Sequence, residues 1–293
     1  MIRGFNHADF PLDLLLESKR AKLTVVLPAR EVADTVGKIV ERILALDGLV
    51  DQVLVVDADS ADGSADVARA AGAEVVSEAD LGAGADPSGP LAAFGPMRGK
   101  GDAMWRALAA ARGDLVAYID SDTRDFDPRF VLGLFGPLLR ESGVEFVKGE
   151  YRRPFTADGV ELPDGGGRVS QLTARPLLDA FYPDLAGLRQ PLAGEIAAPR
   201  ALLERLPFAT GYAVETAMLL DVRELVGADA IVQSHLGERR NFHQPLPALR
   251  PMADEVLSVI CERLRREGRL QDGGPTDTVV YRPPFADVAA ARP

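Results

Sequence analysis

The sequence predicts an α/β protein in which helices flank a mostly parallel β-sheet. In the first half of the chain, short β-branched runs alternate with segments whose apolar residues recur at helical spacing. Strands that alternate with crossover helices form parallel sheets with right-handed connections. The chain has 293 residues, of which 47% are hydrophobic and 26% charged, and this is enough for one large core.

Local patterns place the elements of the first half. Each predicted strand is a short apolar run, and each predicted helix carries apolar residues three or four positions apart. Asp62 is a candidate cap for one helix, and Pro128 opens another. The order is strand 23–27, helix 35–46, strand 51–57, helix 63–71, strand 73–76, helix 101–111, strand 115–119, helix 128–139 and strand 144–147.

The second half is less regular. A helix is expected at 168–181, with a break at Pro176, and 183–199 has the composition of a loop. The tail from Gln271 is rich in Pro, Asp and Ala and is expected to be mobile. The remaining segments are a polar loop or hairpin at 151–167, a helix at 214–226, a strand at 230–234 and a long helix within 246–269.

Composition limits the classes of partner. The formal net charge is −11 and the pI is about 4.9, so neither nucleic acid nor an anionic membrane surface is expected to bind. An anionic substrate would need a local cluster of Arg and Lys. Cys261 is the single cysteine, which excludes a disulfide framework and a cysteine metal site. With no apolar run that reaches the roughly 18 residues of a membrane span, we expect a cytoplasmic protein.

The most informative local motif is Asp120-Ser121-Asp122, which directly follows an apolar strand. Ligands of parallel sheets bind beyond the carboxyl ends of the strands. Two carboxylates on the same side of an extended segment repel each other unless a cation lies between them. A hard divalent ion, Mg²⁺ or Mn²⁺, that also binds phosphate oxygens satisfies both conditions. The alternative is a pair of loop aspartates, with Asp122 or Asp125 capping the next helix.

Two other segments of the first half are candidates for nucleotide contact. The acidic segment 57–64 can accept hydrogen bonds from a base or ribose, or it can form a turn and a helix cap. Segment 97–103 places glycines around Lys100 at a helix start, where backbone amides and an ammonium group can contact phosphate. It lacks the spacing of a P-loop, and the alternative is a flexible loop with a surface lysine.

The second half adds two candidate anion sites and a glutamate. Segment 165–170 combines glycines, an arginine and a serine before a helix, which suits an anion or a flexible loop equally. The arginines at 239–240 lie between two histidines and suggest an anion-facing segment, although a solvated strand edge gives the same pattern. Glu215 begins a helix, where it can bind sugar hydroxyls or favour the helix dipole.

Together these motifs resemble the retaining glucosyl- and mannosyl-3-phosphoglycerate synthases, which have a Rossmann-like GT-A fold. The similarity extends from about Phe5 to about Leu249 in a consistent order. Many GT-A enzymes share the early motifs, whereas the glycine-arginine segment 165–170 and the two later glutamate segments, 191–195 and 211–215, are more specific. The motifs are 5–10, 26–31, 55–60, 98–102, 120–122, 127–131, 146–148, 165–170, 174–178, 191–195, 211–215 and 244–246.

The resemblance implies that different parts of the chain bind the two substrates. Residues 1–150 would bind the nucleotide-sugar, and 151–270 would form the acceptor-binding portion of the same domain. The implied donor and nucleotide contacts are Pro28, Ala29, Glu31, Ser60, Lys100, Asp120, Ser121, Glu195, Tyr212 and Glu215. The implied contacts to the acceptor, 3-phosphoglycerate, are Gly167, Arg168, Val169, Ser170, Arg240 and His243. Arg168, Arg239 and Arg240 would supply positive charge near one loop.

The implied chemistry is metal-dependent transfer with retention. Asp122 and Asp120, with His243, would hold Mg²⁺ or Mn²⁺, and Lys100 would stabilise the departing diphosphate. Glu215 would act as a nucleophile only if it lies under the anomeric carbon. UDP-glucose is the favoured donor, with GDP-mannose and GDP-glucose open, and the family tends to form homodimers.

Two positions depart from the family pattern. Arg30-Glu31 replaces the usual asparagine-glutamate pair, and 239–243 reads Arg-Arg-Asn-Phe-His instead of Arg-x-His-x-Asn. The metal would then be bound either by His243 from a shifted position or more weakly by Asn241. Other functions stay open: transfer to glycerate or a lipid phosphate, nucleotidyl transfer, and a non-catalytic subunit that binds sugar nucleotides.

Overall fold

The computed structural model describes residues 2–78, 80–81, 91–157, 160–162, 165–239, 244–271 and 279–290. The strands are β1 Arg3–Asn6, β2 Leu23–Ala29, β3 Gln52–Asp57, β4 Glu74–Ser77, β5 Leu115–Tyr118, β6 Phe146–Arg152, β7 Phe155–Ala157, β8 Val160–Leu162, β9 Ile196–Pro199, β10 Phe208–Ala209, β11 Ile231–Glu238 and β12 Tyr281–Arg282. The helices are α1 Leu12–Ser18, α2 Ala33–Leu44, α3 Ser64–Ala70, α4 Gly99–Ala107, α5 Arg129–Arg140, α6 Arg175–Phe181, α7 Arg200–Leu203, α8 Val214–Val226, α9 Leu246–Arg266 and α10 Phe285–Ala290.

The central sheet has eight strands in the order β1–β11–β6–β9–β5–β2–β3–β4. Every neighbouring pair is parallel except the two pairs that involve β9, which runs antiparallel to β5 and β6. The prediction of a mostly parallel sheet is confirmed. Strands from both halves of the chain alternate in this sheet, so the two halves share one core.

Two apolar layers cover the faces of the sheet. Alternate residues of a strand point to opposite faces, so Val26 contributes to one layer and Val25 to the other. Helices α4, α8 and α9 pack on the Val26 side, and α2 and α5 pack on the Val25 side. Burying both faces explains why the parallel strands are near-continuous apolar runs.

Several predicted elements differ from the observed ones. β6 extends to Arg152, well past the predicted end at 147, because its polar residues are buried among strands rather than solvated. β9 lies in the segment expected to be a loop, and β1 is a short edge strand that the sequence pattern does not reveal. Segment 168–181 is helical as expected, but Pro176 lies in the first turn of α6 and the irregularity is a π-helical turn at Ser170–Ala174.

The described part of the C-terminal tail is packed against the domain. β12 pairs with β10, the Trp105 Nε1 donates to the Pro283 carbonyl at 2.8 Å, and the Phe285 and Trp105 rings lie 5.6 Å apart. The expectation of a mobile tail is therefore wrong for residues 279–290. Their side chains pack against the apolar surface formed by Trp105 and its neighbours. Residues 272–278 and 291–293 lie outside the described residues. None of the described helices is long and apolar enough to cross a bilayer.

Candidate active site

A cleft of about 760 Å³ opens at the carboxyl ends of the parallel strands. The ends of β2 and β5 bring Pro28 and Asp120 to this edge, as strand polarity requires. β9 runs the other way, so the residue that precedes it, Glu195, arrives at the same edge. Segments from both halves of the chain therefore meet at one cleft.

Arg239, just beyond β11, holds the acidic groups of the cleft together. Its Nη1 lies 2.9 Å from Asp120 Oδ2 and 2.6 Å from Glu195 Oε1, and its Nη2 lies 3.0 Å from Asp122 Oδ1. The hydroxyl of Tyr151 donates to Glu195 Oε2 at 2.8 Å and accepts from Arg239 Nη1 at 3.1 Å. Only 3% of the Arg239 side chain is exposed, so its pairs with Asp120 and Glu195 are largely shielded from water.

Lys100 makes a second set of ion pairs beside the first. It lies in the first turn of helix α4, and its Nζ contacts both Asp120 Oδ1 and, at 2.9 Å, Glu215 Oε1. Gly194 is required for this approach, because a Cβ there would overlap Lys100 Nζ and Asp120. Burial would lower the pKa of Lys100, but the two carboxylates raise it well above its usual value. Burial alone would raise the pKa of Asp120, but Lys100 and Arg239 hold it below its usual value.

The glycine-rich loop at 165–170 forms the opposite wall. A Cβ on Gly166 would collide with the Arg153 backbone, whose carbonyl accepts from the Gly166 amide at 2.8 Å. Gly167 has φ +69°, a backbone conformation that favours glycine. Arg168 lies over the Phe155 ring at 5.1 Å and donates to the Gln244 carbonyl. The loop leads into the π-helical turn, a feature often found at functional sites.

The comparisons with known proteins agree with this architecture. Residues 24–156 match the model of glycosyl transferase family 2. The glucosyl-3-phosphoglycerate synthase of Mycolicibacterium smegmatis is 46% identical over 252 residues, which are 85% of this chain and 80% of that relative. The chain belongs to the glucosyl-3-phosphoglycerate synthase family. The family member of Petrotoga mobilis is 37% identical over 276 residues, 92% of this chain and 82% of that protein.

Solved structures of this family have the same fold. The mannosyl-3-phosphoglycerate synthase of Rubrobacter xylanophilus superposes with a TM-score of 0.88 at 45% identity, covering 98% of this chain and 97% of that one. The glucosyl-3-phosphoglycerate synthase of Mycobacterium tuberculosis, in complex with Mn²⁺, UDP-glucose and phosphoglyceric acid, has a TM-score of 0.81 at 37% identity, with 98% of both chains covered. The GT-A fold and the family that the resemblance implies are confirmed.

Most of the residues that the resemblance singles out line the cleft of this family member. Of the implied donor contacts and metal ligands these are Pro28, Ala29, Lys100, Asp120, Ser121, Asp122, Tyr212 and Glu215; of the implied acceptor contacts they are Gly167, Arg168, Val169 and Ser170. Arg240 and His243, and with them the choice between Asn241 and His243, lie outside the described residues.

Three expected donor contacts have a different position. Glu31 and Ser60 do not line the cleft: the Ser60 hydroxyl accepts from the Glu31 amide at 2.9 Å, and Glu31 Oε1 accepts from the Ala61 amide at 2.8 Å. They therefore join two loops at its border. Glu195 is fully buried below the floor of the cleft, where burial raises its pKa and Arg239 opposes that rise. Their contacts with a donor remain predictions.

One sequence-based interpretation is corrected by the packing. Arg239 does not join Arg168 in an acceptor-facing cluster, because its guanidinium is bound to the carboxylates of Asp120, Asp122 and Glu195. Gly101 has a packing role: a Cβ there would collide with the Ala209 carbonyl of β10, so the glycine allows α4 to pack closely.

Tyr151 and Arg153 are cleft residues that the sequence analysis missed. Both depend on the length of β6, which was expected to end at residue 147. Residues 148–152 alternate between charged and uncharged side chains, as a strand does. Because several of them are polar, the segment was interpreted as a loop. A buried polar strand has the same composition as a loop, and only its neighbours distinguish the two.

The buried Lys148 leads us to expect that activity depends on pH. It is buried with 1% exposure, its Nζ donates to the Ala193 carbonyl at 2.6 Å, and burial lowers its pKa to about 8 although Glu215 opposes that shift. Below this pH its charge helps to balance the carboxylates of the donor side. We expect kcat/KM to fall about tenfold per pH unit above pH 8 as that charge is lost.

The Lys148→Met variant is the control for this pH profile. At pH 7 it should be slower than the native protein at pH 9, where about a tenth of Lys148 is still charged, and its activity should not fall between the two pH values. Thermal unfolding at both pH values checks that the fold persists. A variant that keeps the full alkaline decline would assign the decline to another group.

Proposed function

We propose that the protein transfers a hexose, with retention, from a nucleoside diphosphate sugar to the hydroxyl of 3-phosphoglycerate. The observation that carries this proposal is the single cleft, in which Asp120, Asp122, Lys100 and Glu215 face a glycine-arginine loop. One wall suits a diphosphate and a sugar, and the other suits a small anion. The Mycobacterium tuberculosis relative was solved with UDP-glucose and phosphoglyceric acid, which have these chemistries.

The donor wall also fits a divalent metal ion. Asp122 is 62% exposed and supplies a carboxylate directed into the cleft next to Asp120. In the described part of the chain, no group of three or more His, Cys, Asp and Glu side chains could hold a metal ion. Mg²⁺ and Mn²⁺ commonly bind through one or two carboxylates together with substrate phosphates, so this donor set is sufficient. The bound ion would supply Lewis-acid stabilisation of the leaving diphosphate.

The residues of the chain account for the remaining chemistry. The bond between the anomeric carbon and the diphosphate oxygen breaks, and its electrons remain on the diphosphate. The acceptor hydroxyl forms the new bond on the same face and passes its proton to a diphosphate oxygen. Lys100, fixed between Asp120 and Glu215, keeps a positive charge where negative charge develops. Glu215 is held by Lys100, and in this proposal it orients the sugar.

The identities of the donor sugar and of the nucleotide base are proposed separately. UDP-glucose is the donor we favour, because the curated relatives at high identity are glucosyl enzymes. The similarity to a mannosyl enzyme keeps GDP-mannose as the alternative. We also propose a cytoplasmic location, in keeping with one buried cysteine, and a homodimer, which analytical ultracentrifugation would test.

A donor-by-acceptor screen tests the proposed function. UDP-glucose, GDP-glucose and GDP-mannose would each be combined with 3-phosphoglycerate, glycerate and buffer alone, in Mg²⁺ or Mn²⁺, with nucleoside diphosphate release measured. We expect release that depends on 3-phosphoglycerate and on metal, and a product with the anomeric configuration of the donor. Release that requires glycerate, or pyrophosphate release from a nucleoside triphosphate, would replace the proposal with another transferase activity.

A further inference from the structure

We propose that Arg153 is a second acceptor-binding cation, which pairs with one of the two anionic groups of the acceptor; this inference rests on the proposed function. Arg153 follows β6 directly and lines the cleft. Its backbone carbonyl is bound by the Gly166 amide, and a Cβ on Gly167 would lie 3.6 Å from its Cδ. The arginine side chain therefore extends along the glycine loop that forms the acceptor wall.

Three other cations of the cleft are already engaged. Lys100 and Arg239 are bound to carboxylates of the donor side. Arg168 is held by the Phe155 ring and the Gln244 carbonyl. Within the described ranges, by contrast, the Arg153 side chain has no hydrogen bond or ion pair. An arginine that is half-buried in an anionic protein, and has no carboxylate partner, is available to an anion from solution.

The charge of the acceptor gives a second reason to assign Arg153 to acceptor binding. The acceptor carries a phosphate and a carboxylate, and the protein has a net charge of −11. Among the described residues, Arg168 by itself would pair with only one of these two anionic groups, and Arg240 lies outside the described residues. Arg30 also lines the cleft, but it follows Ala29 at the end of β2, in the part of the cleft assigned to the nucleotide. Of the described residues, Arg153 is the further cation that lies beside the glycine loop, in addition to Arg168 within it.

The adjacent Arg152 provides a matched control. Its side chain is 58% exposed, lies 3.9 Å from Glu238 Oε2 and does not line the cleft. We expect Arg153→Gln to raise the KM for 3-phosphoglycerate about 10- to 100-fold, the loss of a charge-assisted hydrogen bond, with little change in kcat. Arg152→Gln should have a native KM. Arg153→Lys keeps the positive charge but lacks the planar guanidinium that can donate two parallel hydrogen bonds. Its KM should therefore lie between those of the native protein and Arg153→Gln.

Truncated acceptors identify the group that Arg153 binds. Glycerol 3-phosphate lacks the carboxylate, and glycerate lacks the phosphate. If Arg153 binds phosphate, the penalty of Arg153→Gln persists with glycerol 3-phosphate and disappears with glycerate; if it binds carboxylate, the pattern is reversed. Where turnover with a truncated acceptor is too slow, calorimetric titration of that acceptor into protein with UDP and Mn²⁺ gives the same comparison.

The outcomes separate this inference from the proposed function. A native protein that never transfers to 3-phosphoglycerate contradicts the proposed function. A native protein that does so, with an Arg153→Gln variant whose KM is unchanged, overturns the role of Arg153. An equal penalty for all three acceptors, or a weaker affinity for UDP, would also overturn it, because either result shows a general disturbance of the cleft.

Discussion

Replacing Asp122 with asparagine is expected to lower kcat about 1,000-fold, or about 4 kcal/mol in activation free energy, and to leave the fold intact. Asp122 is 62% exposed, and its one described partner is Arg239 Nη2 at 3.0 Å. An amide of the same shape keeps the packing but loses the negative charge that the metal requires, and without the metal the developing charge on the diphosphate is less stabilised. Steady-state kinetics in Mn²⁺ would measure the loss.

Metal affinity distinguishes the role of Asp122 from a general effect of removing charge. Electron paramagnetic resonance of free Mn²⁺, with UDP present, should show weaker binding to Asp122→Asn. The control is Asp66→Asn, which alters an aspartate that is 89% exposed on α3, away from the cleft. Native turnover by Asp122→Asn would remove the basis for the proposed metal site.

Replacing Arg239 with glutamine is expected to lower both stability and activity. Arg239 is the buried cation shared by Asp120, Asp122 and Glu195, and Glu195 has no exposed surface. Removing one partner of a buried ion pair leaves an uncompensated charge and costs about 3–5 kcal/mol. We expect a loss of that size in the free energy of unfolding and a fall in kcat of at least about 100-fold. Urea unfolding and steady-state kinetics measure the two effects.

The stability loss should depend on pH in a defined direction. Burial already raises the pKa of Glu195 above its ordinary 4.5, and removal of Arg239 raises it further. Between the unfolded and folded pKa values the folded state binds more protons, so the free energy of unfolding falls as pH rises. The deficit of Arg239→Gln should therefore be largest near neutral pH and shrink towards pH 4.5.

A double variant separates the two functions of Arg239. Adding Glu195→Gln to Arg239→Gln removes the orphaned carboxylate, so stability should be partly restored while activity stays low. If the double variant is as unstable as the single one, Glu195 is not the group that Arg239 neutralises. If Arg239→Gln is fully active, the ion pairs are only structural.

Much of the fold could be predicted from local sequence. The apolar run before Asp120 and the helical spacing of α2 each reflect burial of one segment against a sheet, which local composition records. The edge of the sheet that carries the site followed from strand polarity, and so did the convergence of Pro28, Asp120 and Asp122. The glycine-arginine loop was recognisable because its residue types suit an anion.

The sequence by itself therefore determined the parallel α/β architecture, the acidic pair at its edge and the family. Tertiary structure alone decided which cation neutralises that pair. Arg239 reaches Asp120 and Asp122 from more than a hundred positions along the chain, and Glu195 joins them because β9 runs antiparallel to its neighbours. The length of β6, which brings Tyr151 and Arg153 to the cleft, was also decided by its neighbours. Ion pairing and strand direction depend on which segments are in contact in the folded protein, and no local pattern of residues specifies those contacts.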